Sequence, residues 1–378
     1  MNTNVKPWPV WLVLSASWLA FFPIQDIHAA DWPQFRGQPS LSGISADKIP
    51  DQPVLLWSYK TGGQVRSSPA VAGGKVFVGS DDLHLHAIDF ATGKSNWTFK
   101  TEGMIESSPL ILGGKVYFGS EDGFLRAMDA ATGQPAWKFE TGDKISGSPN
   151  FTRSADGKGW SIVFGSFDSS LYCLDAATGR SNWSFQTGTG IKGTPGIANG
   201  LTAVGGCDAL LHVISLKDGA KLKEVEIGAP MLGSVALTTN RAYVGHYENE
   251  FKAIDLDKGT NLWTFRDRAF PFVSSPALTK DFVIFGGRDK RLRCVKRETG
   301  EEVWSFPTRG KVDSSPVVAG DKVVVGSDDG RLYVVSLATG KELWSYEIGQ
   351  AIESSPAVAD DKIVVGCNDG SVYCFGKK

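Results

Sequence analysis

Apolar residues along this chain fall in short runs, cut off by turns rich in glycine and acidic residues. Val76-Phe77-Val78 precedes Gly79-Ser80-Asp81-Asp82. The apolar stretch Leu85 to Ile88 follows, then Thr92-Gly93 and the strand-like Asn96 to Phe99. Short apolar runs bounded by such turns predict strands, because glycine takes the positive φ of a tight turn without steric cost. A shorter run after Ser-Ser-Pro, Ala70-Val71-Ala72, supplies a fourth strand in the same unit.

The unit repeats through the chain. The acidic residue of Gly-Ser-x-Asp recurs at Asp82, Asp122, Asp168, Asp208, Glu248, Asp289, Asp329 and Asp369, with a glycine three residues before each. The spacing is about 40 residues, stretched once by an insertion around Arg153 to Gly159. Thirteen residues before the acid stands a proline in most copies (Pro69, Pro109, Pro195, Pro276, Pro316, Pro356). Pro149 joins them once the insertion is removed, and Val235 breaks the column. Fifteen residues after the acid stands a tryptophan in six copies, from Trp97 to Trp344, with Lys223 as the exception. Four strands cannot bury both faces of a sheet, so such units must stack in a ring.

Counting strands closes the ring. The last copy ends after its third strand, near Phe375, whereas the orphan segment Leu55 to Lys60 carries Trp57, a tryptophan with no copy of its own. The expected fold is therefore all-β, an eight-bladed β-propeller of four-stranded antiparallel blades, its last blade completed by the N-terminal strand. Joining the two ends also removes an open sheet edge. The expected organisation is a signal peptide over 1–30, an N-terminal extension over 31–53 and the propeller over 54–376.

Composition narrows the function classes. Thirty-nine Lys and Arg balance 41 Asp and Glu for a net charge of −2, so nothing marks a nucleic-acid binder, which needs clustered cations. Lys6 precedes fifteen apolar or small residues, Trp8 to Phe22, and His28-Ala29-Ala30 follows as a cleavage region. That order reads as a secretory signal; a retained anchor would need about 20 apolar residues. The stretch holds no Cys for lipid attachment. The expected product is periplasmic or secreted, not transmembrane after signal removal, and monomeric.

The five cysteines look structural. Cys173, Cys294 and Cys374 share a column with Ala87, Ala127 and Val334, which predicts burial as small hydrophobes. Cys207 and Cys367 fall in turns on opposite sides of the ring, too far apart to pair. The acid column more simply caps its own turn than gathers round a metal. His84 and His86 point to one face of a strand but lack a third zinc ligand. No metal site is expected.

The strings Ala127 to Trp137 (Ala-x-Asp-Ala-Ala-Thr-Gly-x-x-x-Trp), Val-x-Ser-Ser-Pro and Val-x-x-Gly-Ser-x-Asp-Gly resemble the repeat of pyrroloquinoline-quinone (PQQ)-like β-propellers. Asp31 to Gly37 resembles the leader of short exported members. The resemblance covers Leu55 to Phe375. It implies either a quinoprotein dehydrogenase, with PQQ and Ca²⁺ over the channel, or a non-enzymatic propeller similar to the assembly lipoprotein BamB; fold alone does not choose. The dehydrogenases are similar to one another in an adjacent-cysteine disulfide against PQQ, and this chain has neither a Cys-Cys pair nor Cys-x-x-Cys-His. No catalytic residue and no cofactor are therefore expected.

Two places remain for binding. The residue before each Ser-Ser-Pro or its equivalent should ring the channel mouth: Arg66, Glu106, Ser146, Lys192, Leu232, Val273, Asp313 and Glu353. The link between the fifth and sixth blades is one residue longer than others and carries Arg266, Arg268, Phe270 and Phe272. With His246, Tyr247 and Arg288 it offers the aromatic and arginine mixture of an interface. The sequence thus predicts an exported, non-enzymatic propeller that binds a protein or peptide in the cell envelope, with a quinoprotein-like oxidoreductase or PQQ-binding sensor as the alternative.

Overall fold

In a computed structural model that describes residues 31–267 and 270–378, eight sheets surround a central channel, each antiparallel in its four repeat strands. Seven blades are continuous in sequence, at 70–100, 110–140, 150–186, 196–226, 236–266, 277–307 and 317–347. The eighth joins both ends of the chain: Val54–Lys60 pairs antiparallel with Ser371–Gly376, bringing Trp57 opposite Cys374 and Ser58 opposite Tyr373. The expected closure is what the structure shows. Residues 1–30, with the expected signal peptide, and the candidate Arg268 lie outside the described residues. Among those described, no helix is long and apolar enough to cross a membrane.

The repeat columns have distinct mechanical roles. A Cβ on Gly119 would overlap the side chain of Ile145, so the glycine before each acid lets the next inter-blade link lie against the sheet. The Trp column staples neighbours. Trp97 lies on Gly133 of the next blade, where an added Cβ would meet the indole at 2.6 Å and where φ is +72°, and its Nε1 donates to Ala130 O at 3.3 Å. Trp57, Trp137, Trp183, Trp263 and Trp304 each donate to the corresponding carbonyl of the following blade. Lys223 replaces Trp in the fourth blade and sends its ammonium to Asp257 O.

The acid column caps turns and also braces its blade. Asp82 accepts from the backbone N–H of Gly62 and His84 and faces His86 Nε2 at 3.1 Å. Burial works against the Asp82 charge, but the bonds from His86 and these N–H groups outweigh it and hold the carboxyl well below its ordinary range. The same spacing joins Asp122 to Arg126, Asp168 to Tyr172, Asp208 to His212 and Asp369 to Tyr373. The polar column containing His86 is thus the partner of the acid column. Cys173, Cys294 and Cys374 are buried as expected; Cys367, also buried, directs its Sγ to Gln350 O and Ala351 O from the position held by Ser80 in the first blade.

The extension over 31–45 runs round the inside of the ring. Trp32 pairs with Val71 of the first blade, and Pro33 O accepts from Ile111 N of the second. Pro39 O accepts from Asn150 Nδ2 of the third and Ile197 N of the fourth. Ser40, Ser42 and Gly43 carbonyls take the N–H groups of Leu237, Leu278 and Val318 in the next three. Ile44–Ser45 adds a parallel fifth strand to the seventh blade, and Ser45 Oγ donates to Val358 O of the eighth. One segment therefore touches every blade at the inner edge.

The staple predicts a stability effect. Trp137 packs against Gly179 and Tyr117 and donates to Ala176 O, so Trp137→Ala should cost about 3–5 kcal/mol. Denaturant unfolding of the variant checks this; an unchanged midpoint would mean the ring does not seat the next blade.

Candidate functional site

The first turn of each inner strand builds the channel wall. Eight Ser and Thr hydroxyls form a closed circle of inter-blade hydrogen bonds: Ser68 N donates to Ser108 Oγ, Ser108 N to Ser148 Oγ, and so on through Thr194, Ser234, Ser275 and Ser315. Ser355 N closes it on Ser68 Oγ at 2.9 Å. Two residues before each hydroxyl stands the rim position. All eight expected rim residues, from Arg66 to Glu353, line a single cavity of about 170 Å³ above that circle. Phe35 of the extension also lines it and supplies the floor. The channel is a funnel open on one face.

Below the floor, Arg36 is buried and its guanidinium donates to Pro276 O at 2.9 Å. Burial lowers its pKa to about 9, and its Nε and Nη1 have no hydrogen-bond partner among the described residues. Gln34 is buried likewise. Neither residue lines the cavity.

Most rim charges are paired. Arg66 bridges Asp81 at 2.7 Å and Glu106 at 2.8 Å; burial works against its charge, and the two carboxylates more than offset it. Arg288 grips Asp313 through two 3.0 Å bonds, while Lys311 sits between Asp313 and Asp328. Burial raises the Asp328 carboxyl, Lys311 opposes the rise, and Asp313 and Glu353 add to it. Lys192 and Glu353 take part in no ion pair among the described residues, though both line the funnel.

The second expected cluster is only partly assembled. Tyr247 and Phe270 are exposed, at 44% and 47%, and Arg288 lies over the Tyr247 ring with Nη1 donating to its hydroxyl at 3.3 Å. Arg288 N donates to Pro271 O, which draws the link bearing Phe270 alongside. Arg266 instead reaches Glu250 across two strands of the fifth blade. His246 is not on the patch: it is 2% exposed, its Nδ1 accepts from Glu248 N at 3.2 Å and its Nε2 faces Glu250 at 3.1 Å. It fills the place of Ser80, Ser120, Ser166 and Ser327 in other blades, and Glu250, two residues after the column acid Glu248, meets it. Phe272 is buried against Phe285 and Phe265.

Desolvation, aided by the nearby Lys252, lowers the His246 pKa from 6.5 to about 4. The folded chain keeps this ring neutral where the unfolded chain binds a proton, so it subtracts stability as pH falls from 6.5 toward 4. The melting temperature should decline over that window, and His246→Gln should flatten the decline. An identical slope in both proteins would refute the buried neutral imidazole.

Sequence reasoning missed the floor. Its only trace was Asp31 to Gly37, a motif outside the repeat.

Comparison with known proteins places this architecture. A family model described as outer membrane protein assembly factor BamB matches residues 50–166, 167–292 and 288–378. Comparison with curated proteins gives no match. Among solved structures, BamB from Moraxella catarrhalis is 19% identical with a TM-score of 0.71, over 86% of this chain and 98% of that one. Quinohemoprotein alcohol dehydrogenase from Comamonas testosteroni is 17% identical with a TM-score of 0.77, over 92% and 81%. The computationally designed Ika8 protein is 18% identical with a TM-score of 0.75, over 85% and 99%. At such identities the likeness is one of fold.

Proposed function

We propose that this chain, which belongs to the outer membrane protein assembly factor BamB family, is an exported, non-enzymatic propeller that docks a protein or peptide on its funnel face in the cell envelope. The observation that carries the reading is the exposed Tyr247 and Phe270 beside Arg288, at the edge of a funnel floored by the chain itself. Aromatic and arginine side chains of this kind dominate binding energy at interfaces, and the bidentate Asp313 holds Arg288 ready in place. Support for the envelope comes from the family and from the order of charged, apolar and small residues in 1–30.

The fold likeness to quinohemoprotein alcohol dehydrogenase raises the oxidoreductase alternative. Two features of this chain weigh against PQQ. The cofactor bears three carboxylates, whereas one arc of the mouth carries Asp313, Asp328 and Glu353, with Asp328 already disfavoured as an anion. The five cysteines are free and none adjoins another in sequence.

Two measurements test the proposal. Tyr247→Ala with Phe270→Ala should abolish capture of the partner from an envelope extract while leaving the thermal melt within about 0.5 kcal/mol of wild type; undiminished capture would remove this patch from the account. Mixing the protein with PQQ and Ca²⁺ should give neither bound-quinone absorbance nor alcohol-dependent dye reduction. Either signal would favour the dehydrogenase reading.

A further inference from the structure

We propose that the funnel mouth binds a short peptide with both ends free, its ammonium held by Glu353 and its carboxylate by Lys192 on the opposite wall. This rests on the reading of the funnel face as a binding platform and names the ligand for its centre.

The charge inventory of the mouth carries the inference. Arg66 serves Asp81 and Glu106, Lys144 serves Glu121, Arg288 serves Asp313, and Lys311 joins Asp313 to Asp328. Among the described residues lining the funnel, one cation, Lys192, and one anion, Glu353, make no contact ion pair, Glu353 being drawn only at longer range to Arg66. Lys192 precedes the fourth blade and Glu353 the eighth, four steps apart in a ring of eight, and so diametrically opposed. A ligand of a single sign meets one of them favourably and leaves the other idle; a zwitterion engages both.

The wall between them suits a peptide body. Travelling from Lys192 to Glu353 through the fifth, sixth and seventh blades, the rim presents Leu232, Val273 and then Asp313, with Phe35 below. Apolar surface therefore adjoins the cation, and the acids gather round Glu353. A divalent metal is the competing occupant of the acidic arc. It needs several converging oxygens, and among the described residues no three His, Cys, Asp or Glu side chains are grouped to hold one.

Length separates a peptide from a single amino acid. The charged ends of an extended peptide move apart by about 3.3–3.6 Å per residue, whereas the amino and carboxyl groups of one amino acid share a single carbon. A peptide therefore engages Lys192 and Glu353 with both side chains drawn back toward the walls, and free leucine is its competitor in the test.

The full-length secreted protein is incubated with an equimolar mixture of tripeptides with free ends, with the N-acetyl and C-amide forms of the same mixture, and with free leucine. Retention through ultrafiltration is read by mass spectrometry. Free tripeptides should be retained, each cap should weaken retention by at least about ten-fold, and leucine should pass through. Glu353→Gln should erase the penalty of acetylation alone, and Lys192→Met that of amidation alone, with melts within about 0.5 kcal/mol of wild type because neither side chain makes a contact ion pair. Equal retention of capped and free peptides, no retention, or leucine held as well as tripeptides would overturn the proposal. Capture that depends on Tyr247 and Phe270 would in those cases persist, separating failure of this ligand from failure of the platform.

Discussion

The circle of hydroxyl-to-amide hydrogen bonds round the channel is the constraint from which the rest of the architecture follows. Each blade offers one Ser or Thr oxygen to the backbone N–H of the blade before it, and the circle closes where Ser355 meets Ser68. Removing one acceptor leaves a buried N–H unpaired, at a cost of about 1–3 kcal/mol. Since the hydroxyls sit at one height, the residues two positions earlier also share one height. That is why eight side chains distant in sequence form one rim. The Trp staples act farther out and leave this inner geometry undisturbed.

The extension turns a pore into a funnel. Its carbonyls take up inner-edge N–H groups that would otherwise face an open channel, and buried polar backbone requires such partners. The third blade shows the rule by its exception: Asn150 Oδ1 accepts from Phe151 N, while Asn150 Nδ2 reaches Pro39 O. Trp32 and Leu41 add apolar burial on the same path. Against these gains stands Arg36, a cation buried with a carbonyl partner and, among the described residues, no ion pair to sustain its charge. The extension thus fills the channel below the rim, and the cavity lies on the rim side.

The repeat was legible because each column has one mechanical task and the tasks recur at a fixed period. The glycine at Gly119, the tryptophan at Trp97 and the cysteine at Cys294 each show their environment through their counterparts in other blades. The rim was legible for the same reason. The path of 31–45 was not, because its bonds come from backbone carbonyls of Pro33, Pro39, Ser40, Ser42 and Gly43, which leave no periodic side-chain signature. His246 misled for a related reason: a polar residue in a serine column looks like surface drift until Glu250, four residues on, is seen to satisfy it. Arg266 likewise spends its charge on Glu250. Which rim charges are paired and which are free depends on distances that no spacing along the chain encodes.

Amide hydrogen exchange at the inner strands tests most directly whether the leader closes the ring from within. The N–H groups of Ile111, Ile197, Leu237, Leu278 and Val318 should exchange as slowly as those in the middle of the blades, since each is bonded to the extension. Exchange at these five at the rate of an exposed sheet edge, in the intact protein, would contradict the account: the channel would be open from both faces.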